Sequence, residues 1–112
     1  MITIWKYKVE PDLVNQVYKM PVGAQIVSFG LDPNEDLCFW AIVDNYAQGE
    51  DHAVACVGTG WDANFGVLAR FVGSVTKDQY VWHLFDLGAG PWSKRNESAP
   101  ISSIEGGLAH EY

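Results

Sequence analysis

The sequence is poor in basic residues and in cysteine. It has seven lysines and arginines against fourteen aspartates and glutamates, a net charge of −7, and only two cysteines, Cys38 and Cys56. Proteins that coat nucleic acids neutralise phosphates with clustered cations, so the charge balance argues against that role. A small anionic ligand is still compatible with it, because one or two well-placed cations suffice for such a ligand.

Long apolar runs are also missing. No run approaches the roughly 18 residues that a transmembrane helix needs, and residues 1–9 lack the basic-then-apolar layout of a secretory signal. These features predict a cytosolic protein without a membrane partner. Thiols stay reduced in the cytosol, and Cys38 and Cys56 each lie in an apolar, strand-like run. We therefore expect inert thiols and a fold that does not need a disulfide.

Motifs that carry chemistry are missing as well. The three histidines and two cysteines show no metal-ligand spacing such as C-x-x-C, and the sequence contains neither a G-x-S-x-G elbow nor a Walker-type loop. Asp44, Asp62 and Asp86 lie at the ends of strand-like segments or in loops, where turn capping explains them. The sequence thus predicts no metal, no cofactor and no catalytic residue.

What the sequence does contain is a series of short segments of alternating polarity, which is typical of strands. The segments with strand signals are residues 2–9, 13–20, 24–31, 37–43, 52–57, 67–75 and 79–87. Residues 13–20 fit a short helix as well as an edge strand. The pattern predicts a mostly β domain of six to seven antiparallel strands with at most one short helix, arranged as a sandwich or a partly closed barrel.

Three finer expectations concern the strand arrangement. Consecutive strands are expected to be neighbours, as in a meander. Residues 76–78 suit a three-residue hairpin loop. Residues 37–43 are apolar throughout, which predicts a central strand that is covered on both faces.

The composition changes at Gly88, after which glycine, serine, proline, alanine and charged residues dominate. This change divides the chain into a β-domain, residues 1–87, and an extended C-terminal tail, residues 88–112. Spaced apolar residues on an extended segment suit contact with the domain body or with a neighbouring subunit. The candidates for contact with a partner or a second copy of the chain are Trp92, Ile101, Ile104 and Leu108.

The best local candidate for a ligand site is the run Gly58, Thr59, Gly60 and Trp61. Two glycines let backbone amides converge on an anion, and a tryptophan can stack on a ring. Arg70, the only arginine before the tail, could complete an anion site. The alternative is that the glycines only bend a strand end and that Arg70 pairs with a surface carboxylate.

Six motifs occur in a fixed order along residues 2–87. They are I-W-K-Y at 4–7, M-P-V-G-A-Q-I at 20–26, F-W-A-I-V-D at 39–44, V-G-T-G at 57–60, F-V-G-S at 71–74 and V-W-H-L-F at 81–85. In this order they resemble a family of small, uncharacterised domains that are frequent in bacteriophage genomes. Similar members often carry a histidine after G-T-G, where this chain has Trp61. The resemblance implies no catalytic residue.

Together these observations predict a non-enzymatic bacteriophage accessory protein that acts by stoichiometric binding in the host cytoplasm. Its partner would be a host protein or a small anionic nucleotide, and its effect would be to antagonise a host defence system. The alternative is a virion structural component, namely a minor capsid, decoration or tail protein, in which the C-terminal tail holds neighbouring subunits together.

Overall fold

Seven segments form strands in the computed structural model, which describes residues 1–11, 14–66 and 69–90. The strands are β1 (Ile2–Lys8), β2 (Asn15–Pro21), β3 (Gln25–Leu31), β4 (Leu37–Asp44), β5 (Gly49–Gly58), β6 (Arg70–Lys77) and β7 (Tyr80–Ala89). The ambiguous second segment is therefore a strand. No α-helix occurs among the described residues, hence none that is long and apolar enough to cross a membrane.

The strands form two antiparallel sheets, one with the order β1-β4-β3 and the other with the order β2-β5-β7-β6. The predicted mostly β sandwich is thus confirmed, and its sheets are not closed into a barrel. The expected meander is wrong, because only β3–β4 and β6–β7 are pairs of consecutive strands. Polarity alternation encodes which face of a strand is buried, and it does not encode which strand lies beside it.

An aromatic cluster joins the two sheets inside the sandwich. The Tyr7 ring of β1 stacks on the Phe39 ring of β4 with centroids 5.0 Å apart, and Tyr18 of β2 meets Phe39 edge-on at 5.2 Å. All three residues are fully buried. β4 is central in its sheet, as predicted, but its second face is covered only in part: Cys38 is buried on that face, whereas Ile42 is exposed.

Both cysteines are free and buried, and burial raises the pKa of Cys38 to about 11 and that of Cys56 to about 12. Because the thiolate is the reactive species, we expect a disulfide-exchange reagent at pH 8 to react with native protein about a hundredfold more slowly than with denatured protein. Absorbance of the released thiol, followed with and without guanidinium chloride, checks this. Fast reaction of even one thiol in the native protein contradicts it.

Candidate functional site

The strand β5 ends at Gly58 in a tight bend, where the pair of glycines predicts one. Gly60 has φ +92°, a left-handed conformation that side chains disfavour. The Trp61 amide donates a hydrogen bond to the Gly58 carbonyl at 3.1 Å, which closes the turn. The bend turns the chain back so that Trp61 lies over the end of its own strand.

The indole of Trp61 is held against Gly58. A Cβ atom at position 58 would lie 3.1 Å from Trp61 Cε2 and 3.2 Å from Nε1, so any larger residue there crowds the ring. Its other neighbour is Trp82 of β7, whose ring meets it at 89° with centroids 5.4 Å apart. Packed in this way, Trp61 still exposes 48% of its surface. The structure thus fixes the ring in place without burying it.

The β6–β7 hairpin provides the opposite wall of the site. Its turn has two residues, Asp78 and Gln79, with φ of 53° and 71°, and Lys77 pairs with Tyr80. Positive φ at both positions is typical of a two-residue type I′ turn, so the expected three-residue loop is wrong. The sequence did not indicate this turn because Asp-Gln lacks the glycine that usually marks it. Tyr80 follows the turn with 65% of its surface exposed, and its ring lies 6.1 Å from that of Trp82.

Between the bend and the hairpin lies a groove with a volume of about 610 Å³. We call it the aromatic groove; it is lined by Gly58, Thr59, Trp61, Gln79, Tyr80, Val81 and Trp82. None of these residues carries a charge. The groove can therefore stack rings or apolar groups against its aromatic side chains and can form hydrogen bonds through the Gln79 amide and the Tyr80 hydroxyl.

The backbone amides of the bend are less available to an anion than the glycine pair suggests. The Thr59 amide donates to the Val81 carbonyl at 3.2 Å, and the Trp61 amide already bonds to Gly58. An amide with an internal acceptor contributes little to binding a ligand, because that hydrogen bond has to be given up first. This geometry favours ring stacking over anion capture at the bend.

Arg70 does not lie at the bend. It begins β6, whereas the groove lies at the other end of that strand, seven residues and about 20 Å away. Its guanidinium contacts the Asp86 carboxylate at 3.0 Å, which is the alternative that the sequence left open. The structure therefore brings Gly58, Thr59 and Trp61 together in one groove and leaves Arg70 outside it.

Each lysine and arginine in the described residues has an aspartate within ion-pair distance. The pairs, between 2.8 and 3.9 Å long, are Lys6–Asp32, Lys8–Asp36, Lys19–Asp51, Arg70–Asp86 and Lys77–Asp78. A phosphate or carboxylate ligand would have to compete with these aspartates for a cation. Within the described part of the chain, the charges thus disfavour an anionic ligand.

A partly buried polar network involves Asp86, which the sequence assigned only to turn capping. The carboxylate accepts the Gly88 amide at 2.9 Å, and also His52 Nε2 at 2.7 Å and Arg70. Burial raises the pKa of Asp86, but the hydrogen bonds from its three partners outweigh burial and hold that pKa below its ordinary value. His52 is buried, so the network joins strands β5, β6 and β7 rather than offering a binding surface.

His83 bonds to two hydroxyls. Ser74 Oγ lies 2.6 Å from its Nδ1, and Thr59 Oγ1 lies 2.8 Å from its Nε2. A serine beside a histidine suggests a nucleophile and a base, but both ring nitrogens of His83 are bonded to hydroxyls, which leaves neither for the carboxylate that orients the base in a triad. Among the described residues, no group of three histidine, cysteine or acidic side chains could hold a metal ion.

The remaining candidates, Trp92, Ile101, Ile104 and Leu108, lie outside the described residues, as does nearly all of the predicted tail. The described chain shows that β7 extends to Ala89, two residues past the predicted end of the β-domain, and that the Gly90 amide bonds to the Asp51 carbonyl at 2.9 Å.

Comparison with known proteins adds a family and no function. A family model described as a domain of unknown function (DUF7352) matches residues 1–94. No curated protein and no solved structure matches the chain. The expectation of a family of uncharacterised domains is thereby confirmed, and its bacteriophage setting stays a prediction.

Proposed function

Because the chain belongs to the DUF7352 family of unknown function, its role has to be argued from its own surface, and we propose that it is a non-enzymatic domain that binds a protein partner through the aromatic groove. The observation that carries this proposal is the exposure of Trp61 and Tyr80, at 48% and 65%, in a groove whose walls are fixed by a tight bend and a two-residue turn.

Exposed tryptophan and tyrosine side chains are the ones expected at a protein interface. They are enriched among the few interface residues that supply most of the binding energy, because each buries a large area on binding. Rings that are already held in place lose little conformational freedom when a partner arrives. Trp61 packs against Gly58 and Trp82 before any partner is present, so the groove is preorganised.

A protein partner fits the groove better than a small anionic nucleotide does. A nucleotide needs cations or free amides for its phosphates. The lysines and arginines of the described residues already pair with aspartates, and two amides of the bend already have acceptors. Stacking alone would hold a base and leave its phosphates without partners.

We include the bacteriophage setting in the proposal. A domain that acts by covering a host protein in the host cytoplasm needs no catalytic centre. The groove and the lack of catalytic motifs in the sequence agree with such a role, in which binding antagonises a host defence system. The setting is supported by the sequence resemblance alone. The virion alternative depends on residues 88–112; stoichiometric presence of the chain in purified particles, measured by mass spectrometry, would favour it.

Alanine in place of Trp61 or Tyr80 should weaken partner binding by about tenfold or more, because central aromatic residues typically contribute over 1 kcal/mol. Affinity capture from infected cells identifies the partner, and calorimetry on the purified pair gives the dissociation constants. Tyr46→Ala is the matched control, because this tyrosine is 85% exposed in the β4–β5 turn and lies outside the groove. Wild-type affinity of both Trp61→Ala and Tyr80→Ala would show that the groove is not the binding site.

A further inference from the structure

We propose that the group bound in the aromatic groove is the guanidinium of an arginine, presented by a basic segment of the partner. This inference rests on the proposed function, since it names the chemistry that the same groove recognises. It depends on three features of the described residues: the distribution of unpaired charges, the fixed position of the Trp61 ring and the hydrogen-bonding groups beside it.

Among the lysines, arginines and carboxylates of the described residues, the charges without an ion-pair partner are all negative. The five lysines and arginines are used in ion pairs, whereas four carboxylates have no ion-pair partner among the described residues: Glu10, Glu35, Glu50 and Asp62. Asp62 is exposed and directly follows Trp61. Asp62 thus attracts a cationic group that approaches the groove and repels an anionic one, whereas Glu50, at the opposite end of β5, is too far away to act there.

A second carboxylate lies at the other wall of the groove. Asp78 precedes Gln79 in the hairpin turn, its side chain is 80% exposed, and its ion pair with Lys77 is 3.5 Å long. Such an exposed pair contributes little and exchanges readily with water or with another cation. The groove therefore has an acidic residue next to each wall, the one at the hairpin being paired with Lys77, while the surface that lines the groove is neutral.

The fixed aromatic side chains complement an arginine. A guanidinium over an indole face gains a cation–π interaction, and tryptophan is the best ring for it. Arginine is also more weakly hydrated than lysine and presents five N–H donors in one plane. Gln79 and Tyr80 line the groove, and an amide oxygen or a phenolic hydroxyl can accept hydrogen bonds from those donors.

Three synthetic peptides of equal length test the inference; they differ only at one central residue, which is arginine, citrulline or glutamate. Citrulline keeps the length and planarity of arginine and removes its charge. The readout is the indole N–H signals of Trp61 and Trp82 in ¹⁵N-labelled full-length protein, assigned with single Trp→Phe variants. We expect the arginine peptide to shift both signals saturably and to bind about fivefold more tightly than the citrulline peptide, with no shift from the glutamate peptide.

Variants of the flanking carboxylates provide the second arm. Asp62→Asn and Asp78→Asn should each lower the affinity for the arginine peptide by about twofold and leave the affinity for the citrulline peptide unchanged. Each substitution removes a negative charge without removing a ring. Asn is chosen at position 78 because it tolerates the positive φ of the turn. Tyr46→Ala, outside the groove, should change neither affinity.

The outcomes separate this inference from the proposed function. Equal affinity for arginine and citrulline, a shift by the glutamate peptide, or no shift by the arginine peptide at millimolar concentration would each overturn the arginine inference. None of these results contradicts partner binding in the groove, which fails only when Trp61→Ala and Tyr80→Ala bind the captured partner as well as wild type.

Discussion

Replacing Phe39 with alanine should lower the free energy of unfolding by about 4 kcal/mol, the cost of removing a large buried aromatic side chain. Phe39 is fully buried, and its ring contacts Tyr7 in the same sheet and Tyr18 in the opposite one. The substitution thus opens a cavity where the two sheets meet. Since small domains are stable by only about 5–15 kcal/mol, the variant should unfold at a much lower urea concentration than wild type.

The matched control is Phe71→Ala. Phe71 is 54% exposed and contacts Phe85 at a centroid distance of 5.5 Å. Its removal should cost about 1 kcal/mol or less, since most of the ring is already in water. Urea denaturation followed by tryptophan fluorescence measures both variants. Equal losses for Phe39→Ala and Phe71→Ala would contradict the placement of the core between the sheets.

Replacing Asp86 with alanine should lower the free energy of unfolding by about 3 kcal/mol, because a buried polar network loses its central acceptor. The His52 ring N–H and the Gly88 amide would be left without that acceptor, and Arg70 would lose its ion pair. The matched control is Asp51→Ala. Asp51 pairs with Lys19 at the surface, where loss of an ion pair costs at most about 1 kcal/mol.

The contribution of Asp86 should depend on pH in a defined direction. Its pKa in the folded state is below the ordinary value of 3.8, so the charged carboxylate stabilises the fold at pH values above the unfolded-state pKa. That stability is lost as the pH falls through the lower, folded-state pKa. The difference in unfolding free energy between wild type and Asp86→Ala should therefore be constant near pH 5–6 and shrink below about pH 4.

Chemical denaturation of both proteins at several pH values checks this dependence. A difference that grows on acidification would contradict the assigned direction.

The bend of the candidate site could be predicted from local sequence. Which other residues line the groove could not. The run from Gly58 to Trp61 predicts a bend with an aromatic residue at its end, because glycine is needed where φ is positive and where a ring lies on the backbone. Tyr80 and Gln79 come from the β6–β7 hairpin, about twenty residues later, and no local pattern indicates that they lie opposite Trp61. For Arg70 the sequence leaves open either this site or a pair with a carboxylate; it lies at the far end of β6, paired with Asp86.

Across the described residues, the order of polar and apolar residues was enough to identify six of the seven strands and the burial of both thiols, since each depends on neighbours along the chain. It left β2 open between a strand and a short helix. The pairing of β4 with β1 and of β5 with β2 and β7, the Asp86 network and the aromatic groove depend on contacts between residues far apart in sequence. Many pairings satisfy the same alternation, and only the packing of the two sheets against each other selects among them.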